Sequence, residues 1–364
     1  MNIDFANLGL AYEEHKLAID KAMSKVIKDS SFIMGPAVAD FEKNLNSFVG
    51  TKHSLTCSSG TDALLLAMMA LNIQPGDEII TSPFTFIASG ETIAFLKAKP
   101  IFVDIEENSF TIDPAKIEKA ITEKTKAIMP VSLFGQVADM NAINTIAKKH
   151  NLYVIEDAAQ SFGATHHGKR SCNLSTIGCT SFFPAKPLGC FGDGGAVFTN
   201  DDDLAEKINS LRLHGQTKRY YHKYIGMGGR LDALQAAILN EKLKYYCNDI
   251  IRRQYVAETY SRNLKSSIIK PKITPENTSV WAQYSIRVKD REQVQEKLKS
   301  LGIPTAVHYP MPLHLQECFQ YLEGKKGDFP IAEQISNEIM SLPMNPYLTE
   351  KQIYYITEHL NTIL

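Results

Sequence analysis

The stretch LTCSSGTDALLLAMMALN, residues 55–72, joins a short apolar strand directly to a strongly apolar helix. Strand–helix units of this kind build open α/β sheets, which bind their ligands at the carboxyl ends of the strands. The small residues at the junction, 58–61, leave backbone N–H groups open at a helix N-terminus, where the helix dipole favours a phosphate. There is no G-x-x-x-x-G-K motif, which excludes a nucleotide P-loop. Taken alone, the stretch also fits a core helix that Thr61 or Asp62 simply caps.

Strand-like runs alternate with helix-period segments around this unit. The predicted strands cover residues 78–82, 99–105, 125–133 and 152–158, and helices are predicted between them at 88–98 and 140–150. This order predicts a mostly parallel sheet with helices on both faces. A helical stretch at 236–264, a strand at 279–288 and a helix at 291–302 then predict a smaller α+β domain. We therefore predict a large domain at 1–240 and a small C-terminal domain at 241–364.

The composition is that of an ordinary globular protein of 364 residues, with 44% hydrophobic residues, 22% charged residues and a formal net charge of -1. This charge provides no basic field for nucleic acid or an anionic membrane, so a small solute is the expected partner. No run approaches the ~20 apolar residues that span a bilayer, and the N-terminus lacks a basic region followed by an apolar run. We expect the protein to stay in the cytosol.

The six cysteines are far apart and include no C-x-x-C pair; they are Cys57, Cys172, Cys179, Cys190, Cys247 and Cys318. This spacing argues against a zinc site and against a disulfide framework. We expect no metal, and we expect most of the cysteines to be small buried apolar residues.

A second candidate site is VIEDAAQSFGA, residues 154–164, where Glu156 and Asp157 end an apolar strand. A carboxylate at such a position is costly unless it has a cationic or hydrogen-bonding partner. A protonated pyridine nitrogen would be such a partner. The alternative is an acid that caps the next turn.

A third candidate is SFFPAKPLGCFGDGGAVFTN, residues 181–200, where Lys186 lies close to two prolines. The prolines restrict the backbone on both sides, so the ammonium group can be aimed and partly desolvated. Desolvation lowers the pKa of a lysine and makes it a nucleophile toward aldehydes. The glycines that follow would let the backbone pass close to a flat ligand. Apolar flanks on both sides argue against a solvated surface lysine.

A phosphate site, a strand-end aspartate about a hundred residues later and a lysine about thirty residues beyond match the needs of one cofactor, pyridoxal 5'-phosphate. Each feature is weak alone, whereas their order and spacing are specific.

The sequence also resembles the DegT/DnrJ/EryC1/StrS sugar aminotransferases, which have the fold type I (aspartate aminotransferase-like) architecture. The resemblance is carried by FIMGPAVADFE, SSGTDAL, PGDEIITSPFTFIAS, VSLFGQVADM, IEDAAQSFGA, SFFPAKPLGCFGDGG, RLDALQAAIL and AVHYPMPLH. It covers nearly the whole chain. The segment HGKRSCNLSTIGCTSFFPAKPLGCFGDGGAVFTNDD is most similar to the subgroup that aminates UDP-2-acetamido-2-deoxy-3-oxo-glucuronate in surface-polysaccharide biosynthesis.

The resemblance implies that Lys186 forms the Schiff base with pyridoxal 5'-phosphate and that Asp157 pairs with the pyridinium nitrogen. Gln160 would contact the phenolic oxygen of the ring, and Phe86 would stack on the ring. The phosphate would be held by Gly60, Thr61 and Ser181. During turnover the cofactor would pass through its pyridoxamine phosphate form, and Lys186 would carry the transferred proton.

The segment IGMGGRLD departs from the family, whose members carry an asparagine that reaches the cofactor phosphate of the neighbouring subunit. This chain has Gly228 and Gly229 instead, so that contact is in doubt. The resemblance places Arg230, His308 and Tyr309 near the sugar. Arg230 suits a substrate carboxylate because its guanidinium offers a planar fork of donors, whereas the alternative is a structural ion pair, for example with Asp232.

The expected activity is therefore transamination of a nucleotide-linked keto sugar, with glutamate as amino donor. The resemblance implies a homodimer with active sites at the interface, to which the LDALQAAIL helix is a plausible contributor. Alternatives are a dTDP-3-oxo-6-deoxyhexose or a 4-oxo nucleotide sugar as substrate, or a non-catalytic relative that binds a nucleotide sugar or regulates a partner. A sugar dehydratase of this fold is disfavoured because those enzymes replace the lysine with histidine.

Overall fold

The computed structural model describes residues 3–364. Its strands are β1 (His53–Cys57), β2 (Glu78–Thr81), β3 (Lys99–Phe102), β4 (Thr125–Met129), β5 (Tyr153–Asp157), β6 (Thr165–His166), β7 (Lys169–Arg170), β8 (Ile177–Ser181), β9 (Gly195–Thr199), β10 (Gln216–Lys218), β11 (Tyr221–His222), β12 (Tyr284–Arg287) and β13 (Ile339–Leu342). Its helices are α1 (Leu8–Glu13), α2 (Lys16–Asp29), α3 (Pro36–Val49), α4 (Gly60–Ala70), α5 (Ala88–Phe95), α6 (Pro114–Ile117), α7 (Met140–His150), α8 (Asp202–Leu211), α9 (Ala233–Leu243), α10 (Tyr246–Asn263), α11 (Arg291–Ser300), α12 (Pro330–Glu338) and α13 (Glu350–Ile363).

The central sheet has seven strands in the order β1-β9-β8-β5-β4-β2-β3. All neighbouring pairs are parallel except the two that involve β9, which runs antiparallel to both β1 and β8. The predicted mostly parallel sheet is therefore confirmed. Because Gly195 at the start of β9 pairs with both Cys57 and Ser181, the carboxyl ends of β1 and β8 lie at the same edge.

Apolar sequence on both faces explains why these strands form the centre of the large domain. The last three residues of β4 and the last four of β5 are buried, as expected for a parallel sheet covered by helices on both sides. Helix α4 packs on β8 and β9, and its buried side chains join those of the sheet in one core cluster. This packing fixes the N-terminus of α4 at the edge where the strands end.

Three predicted strands, 99–105, 125–133 and 279–288, are clearly shorter in the structure, and the reason is local for the last two. Strand β4 ends at Met129 because Pro130 has no N–H to donate, and Val131 continues only as an isolated bridge to Asp157. The run 279–288 forms a strand only at β12, since Trp281 has a left-handed backbone with φ of 49°.

The C-terminal part forms a second core from α10, α11, α13 and the antiparallel pair β12–β13. The predicted helical stretch 236–264 is two helices, α9 and α10, which are separated at Lys244 and Tyr245. Ile3, at the start of the chain, is buried in the same core, and Phe5 accepts a backbone hydrogen bond from Met344 (3.2 Å).

The predicted domain boundary at residue 240 lies inside α9, which packs against α2 and α3. The apolar side chains of α9 are buried within this packing, including Ala233, Ala236, Ala237, Ile238 and Leu239. These side chains are core residues of their own chain, and the contribution of this helix to a dimer interface stays a prediction.

Cys57, Cys172, Cys179 and Cys190 are buried, Cys247 and Cys318 are exposed, and all six are free thiols. The expectation that most cysteines are buried is confirmed. Among the helices of residues 3–364, none combines the length and the apolar character needed to cross a membrane.

Candidate active site

A cavity of about 510 Å³ opens at the carboxyl edge of the sheet, between the large domain and the C-terminal part. Nine predicted site residues line this cavity: Gly60, Thr61, Phe86, Asp157, Gln160, Ser181, Lys186, His308 and Tyr309. Arg230 is the predicted site residue that is absent from the lining. Residues that are widely separated in the sequence thus meet where the parallel sheet predicts a ligand.

Asp157 ends β5 and is buried, with an exposed fraction of 5%. Ser89 Oγ donates to its Oδ2 (2.7 Å), and the backbone N–H of Ala159 donates to its Oδ1 (3.2 Å). Burial raises the pKa of Asp157, while these hydrogen bonds and the charge of Lys186 oppose the increase. The carboxylate is therefore held in one orientation and gains from a cationic partner in the cavity.

Lys186 lies in a tight loop, where its backbone N–H donates to the carbonyl of Phe183 (2.8 Å). The loop turns closely enough that a Cβ at Gly189 would lie 2.4 Å from the carbonyl oxygen of Pro184, so only glycine fits there. Burial lowers the pKa of Lys186, and the negative charge of Asp157 partly opposes this effect. A lowered pKa increases the fraction of neutral amine, which is the nucleophilic form.

Helix α9 holds the loop that follows Lys186 at two points. Lys242 Nζ donates to the carbonyl of Gly189 and lies 5.6 Å from the centre of the Phe191 ring. Gln235 Oε1 accepts a hydrogen bond from the backbone N–H of Phe191 (2.8 Å). The position of Lys186 is therefore tied to a helix of the large-domain core.

The N-terminus of α4 lies at the place where the phosphate cradle is predicted. Ser59 is the N-cap and accepts from the backbone N–H of Asp62 (3.0 Å), so neither Thr61 nor Asp62 is the cap. A Cβ at Gly60 would lie 2.6 Å from Ser181 Cβ, and a Cβ at Gly195 would lie 2.3 Å from the Ser59 carbonyl oxygen. The absence of both side chains lets the first turn of α4, whose first amides have no intrahelical partner, approach β8 and β9.

Gln160 and Tyr309 are joined across the cavity. Gln160 Nε2 donates to the Tyr309 hydroxyl (3.1 Å), and Gln160 Oε1 accepts from the backbone N–H of Phe134 (2.8 Å). Burial raises the pKa of Tyr309 and lowers that of His308 to about 4, so both are neutral near pH 7. Phe86 is 52% exposed, and its ring centre lies 6.0 Å from that of Tyr309. Gln160, Tyr309 and Phe86 therefore bring polar atoms and an aromatic ring to the same cavity.

Arg230 is partly buried and makes no ion pair with any residue of 3–364, so the expected alternative of a pair with Asp232 is not observed. The neighbouring glycine, Gly228, is exposed, and a Cβ there would lie 3.2 Å from His214 Nε2 and 3.9 Å from an Arg230 guanidinium nitrogen. The role of Arg230 toward a substrate stays a prediction that the single chain does not test.

Sequence reasoning missed Ser89, Asp193 and Gln283. Ser89 orients Asp157, while Asp193 and Gln283 line the cavity. Ser89 could have been suspected only because a small hydroxyl starts a helix after a predicted strand. Glu156 has a structural environment instead: its carboxylate accepts from Ser171 Oγ (2.7 Å), and burial raises its pKa to about 7.

The site fits pyridoxal 5'-phosphate. The open amides of α4 match a phosphate, buried Asp157 matches a protonated ring nitrogen, and Lys186, with its lowered pKa, matches an aldehyde carbon. The fold and this set of residues together define a pyridoxal-phosphate-dependent aminotransferase of fold type I.

Comparison with known proteins identifies the group within this class. The model of the DegT/DnrJ/EryC1/StrS aminotransferase family matches residues 13–361, so the chain belongs to this family. Solved structures among its relatives contain pyridoxal phosphate or pyridoxamine phosphate, and this chain is a pyridoxal-phosphate-dependent enzyme.

Three known proteins are similar to this chain over nearly its whole length. The UDP-2-acetamido-2-deoxy-3-oxo-D-glucuronate aminotransferase of Pseudomonas aeruginosa is 50% identical over 97% of this chain and 98% of its own. A pleiotropic regulatory protein of Geobacillus stearothermophilus is 45% identical over 98% and 97% of the two chains. The crystal structure of DesV from S. venezuelae, in complex with a ketimine intermediate, is 36% identical, with a TM-score of 0.98 over 100% and 98% of the chains.

Proposed function

We propose that this protein transfers an amino group from L-glutamate to UDP-2-acetamido-2-deoxy-3-oxo-D-glucuronate, giving the 3-amino sugar for a surface polysaccharide. The observation that carries the proposal is one cavity that contains Lys186, Asp157, Gln160 and an open helix N-terminus. The 50% identity to an aminotransferase for this sugar supports the choice of substrate.

The residues of the chain have distinct tasks in such a reaction. When bound, the cofactor supplies an electron sink for the carbon from which a proton is removed. Asp157, held by Ser89, stabilises positive charge at the end of β5. Lys186 would hold the cofactor through its Nζ atom and, once released, would move a proton at that atom. The first turn of α4 would hold the phosphate, and Gln160, which donates to the Tyr309 hydroxyl, would contact the phenolic oxygen of the ring.

We further propose that the enzyme works as a homodimer. The rim of the cavity and the β10–β11 hairpin expose large apolar side chains in the single chain; they include Phe86, Phe183, Phe191, Tyr220, Tyr221 and Ile225. Large apolar side chains exposed beside a functional site are typical of a surface that another protein covers. The absence of Arg230 from the lining of its own cavity agrees with a site that a second copy completes.

A regulatory relative without catalysis is the alternative from another class, and one similar protein has a regulatory name. Simple binding of a nucleotide sugar requires neither a desolvated lysine nor a buried carboxylate beside it. The presence of Lys186, Asp157 and Gln160 in one cavity therefore favours an enzyme. Lys186 also disfavours a dehydratase of this fold.

Turnover with a panel of keto sugars tests the proposal. We expect purified protein to aminate the UDP-3-oxo-uronate with glutamate faster than a dTDP-3-oxo-6-deoxyhexose or a 4-oxo sugar. Lys186→Ala should abolish the visible absorption of the lysine–cofactor bond and reduce turnover by about 10⁴-fold or more, while circular dichroism shows a folded protein. Near-wild-type turnover in this variant would refute the assignment of Lys186, and preference for a deoxyhexose would refute the proposed substrate.

A further inference from the structure

The side chain of Gln283 lines the active-site cavity without an assigned task. It lies just before β12, on the side of the cavity formed by the C-terminal part. Its Oε1 atom is buried and accepts no hydrogen bond from any described residue. No side-chain hydrogen bond of Gln283 occurs anywhere within residues 3–364.

Two aromatic residues close to Gln283 in the chain, Trp281 and Tyr284, have paired polar atoms. Trp281 Nε1 donates to Gln254 Oε1 (2.5 Å), and the Tyr284 hydroxyl lies 2.8 Å from Ser261 Oγ. Both rings are buried in the core of the C-terminal part, which fixes the backbone on either side of Gln283. The unpaired amide is therefore a local exception in a well-packed segment and not the result of loose packing.

A buried amide oxygen without a donor is unfavourable, and it recovers a hydrogen bond if a ligand brings an N–H or O–H group. The amide of glutamine offers one acceptor and two donor hydrogens. Its natural complement is another amide, which can accept and donate at once. The cavity that Gln283 lines also contains Lys186, so a ligand that reacts at Lys186 can bring an amide to Gln283.

We propose that Gln283 recognises the acetamido group on C2 of the sugar, the carbon next to the carbonyl carbon that is aminated. The inference rests on the proposed function, because it assumes that C3 reacts near Lys186. Gln283 Oε1 accepts the acetamido N–H while its amide N–H donates to the acetamido carbonyl oxygen, and a hydroxyl at C2 cannot make this paired contact.

Two unreactive nucleotide sugars test this proposal without turnover. UDP-N-acetylglucosamine and UDP-glucose differ only at C2, so the ratio of their Kd values isolates that substituent. Calorimetry on the cofactor-loaded enzyme should show that the acetamido ligand binds about 10-fold or more tightly than UDP-glucose. Gln283→Met, which keeps the length of the side chain and removes both polar ends, should reduce this ratio to about 2-fold or less.

Gln293→Met provides a matched control, because Gln293 is an exposed glutamine on α11 and is absent from the cavity lining. It should keep the wild-type ratio. An unchanged ratio in Gln283→Met overturns the proposal, as does an equal loss of affinity for both ligands, which would mean that Gln283 only shapes the cavity. Melting temperatures confirm that each variant is folded. The proposed function is tested separately by turnover. A wild-type enzyme that shows the expected ratio of Kd values but does not aminate the 3-oxo-uronate would refute the proposed function alone.

Discussion

The carboxylate of Asp157 accepts a hydrogen bond from Ser89, a residue 68 positions earlier in the chain. A buried carboxylate tends to take up a proton, and the hydroxyl of Ser89 opposes this because it donates to the ionised form. The pair shows that the charge at the end of β5 is set by α5 as well as by the strand itself. This dependence leads to a prediction about pH.

Ser89→Ala should raise the pKa of Asp157, because the carboxylate loses a hydrogen-bond donor. Since Asp157 acts in its ionised form, the variant should lose activity on acidification at a higher pH than the wild-type enzyme does. We expect the acidic limb of kcat/KM to move upward by about one pH unit. Thr92→Val is the control, since Thr92 lies on the same helix and donates only to the Ala88 carbonyl (2.8 Å). An equal shift in both variants, or no shift in Ser89→Ala, would contradict the prediction.

The residues that could be predicted from the sequence share one property: each lies in a short motif with its own physical signature. Lys186 is close to two prolines, Asp157 ends an apolar strand, and Gly60 starts an apolar helix. Ser89 and Gln283 have no such signature. They enter the site only because the sheet brings α5 and the segment before β12 to the same edge. A local sequence pattern does not show that α5 and the segment before β12 meet in the folded chain.

At the scale of secondary-structure elements, α9 couples the reactive loop to the core. Its lysine, Lys242, is largely buried, and burial lowers its pKa to about 8. The charged groups that act on it are Asp249, Arg253 and the thiol of Cys190. The ammonium group of Lys242 binds the Gly189 carbonyl oxygen and faces the Phe191 ring, and these contacts position the loop. Because a buried charge is unfavourable, the protonated form of Lys242 lowers the stability of the fold.

The lowered pKa of Lys242 predicts how stability changes with pH. Between pH 8 and about pH 10.4, the unfolded chain keeps the proton that the folded chain has lost, so the free energy of unfolding rises with pH from this group. Lys242→Met removes the effect. The melting temperature of wild type minus that of the variant should therefore increase from pH 8 to pH 10.

Lys244→Met is the matched control for this experiment, because Lys244 is exposed on the same turn and pairs with Glu241 (2.7 Å). Its difference from wild type should not increase over the same pH range. A difference for Lys242→Met that stays constant or decreases would contradict the assigned pKa.

Helices and strands can be predicted where the hydrophobic period of the sequence is long and regular. The boundaries failed where a single residue decided them: Pro130 ends β4 because it lacks an N–H, and Trp281 delays β12 through its left-handed backbone. No glycine or proline marks the break between α9 and α10 in the sequence. It follows from packing, since α9 lies in the large-domain core, whereas α10 leaves that core after Tyr246 and Ile250 and continues into the core of the C-terminal part.

At the scale of the whole molecule, Arg230 is separate from the other predicted site residues. It is partly buried, has no ion-pair partner in residues 3–364 and is not part of the cavity lining. If a second copy brings it to the cavity, it can bind the carboxylate that a uronate has and a 6-deoxy sugar lacks.

Arg230→Ala should therefore raise the KM for the UDP-uronate by about 10- to 150-fold, equivalent to ~1.5–3 kcal/mol for a charged hydrogen bond. The KM for a 6-deoxy keto sugar should change much less. Arg262→Ala, at an exposed position on α10, should affect neither substrate. Equal losses on both substrates would show that Arg230 does not recognise the carboxylate. Light scattering belongs to the same experiment, because a fully active monomer at micromolar concentration would contradict a shared site.

The burial of Ile3 beside the C-terminal core has a mechanical consequence. The chain touches that core first at Ile3 and Phe5, builds the large domain, and then returns through α10. The large domain is thus an insertion tethered by two covalent crossings instead of one. An ion pair between Arg287 and Glu107 (2.7 Å) also joins the two parts, so the covalent chain is not their sole connection. A single proteolytic cut between α9 and α10 would leave the halves associated through Ile3, Phe5 and this ion pair, so cleavage there should nick the protein without releasing a domain.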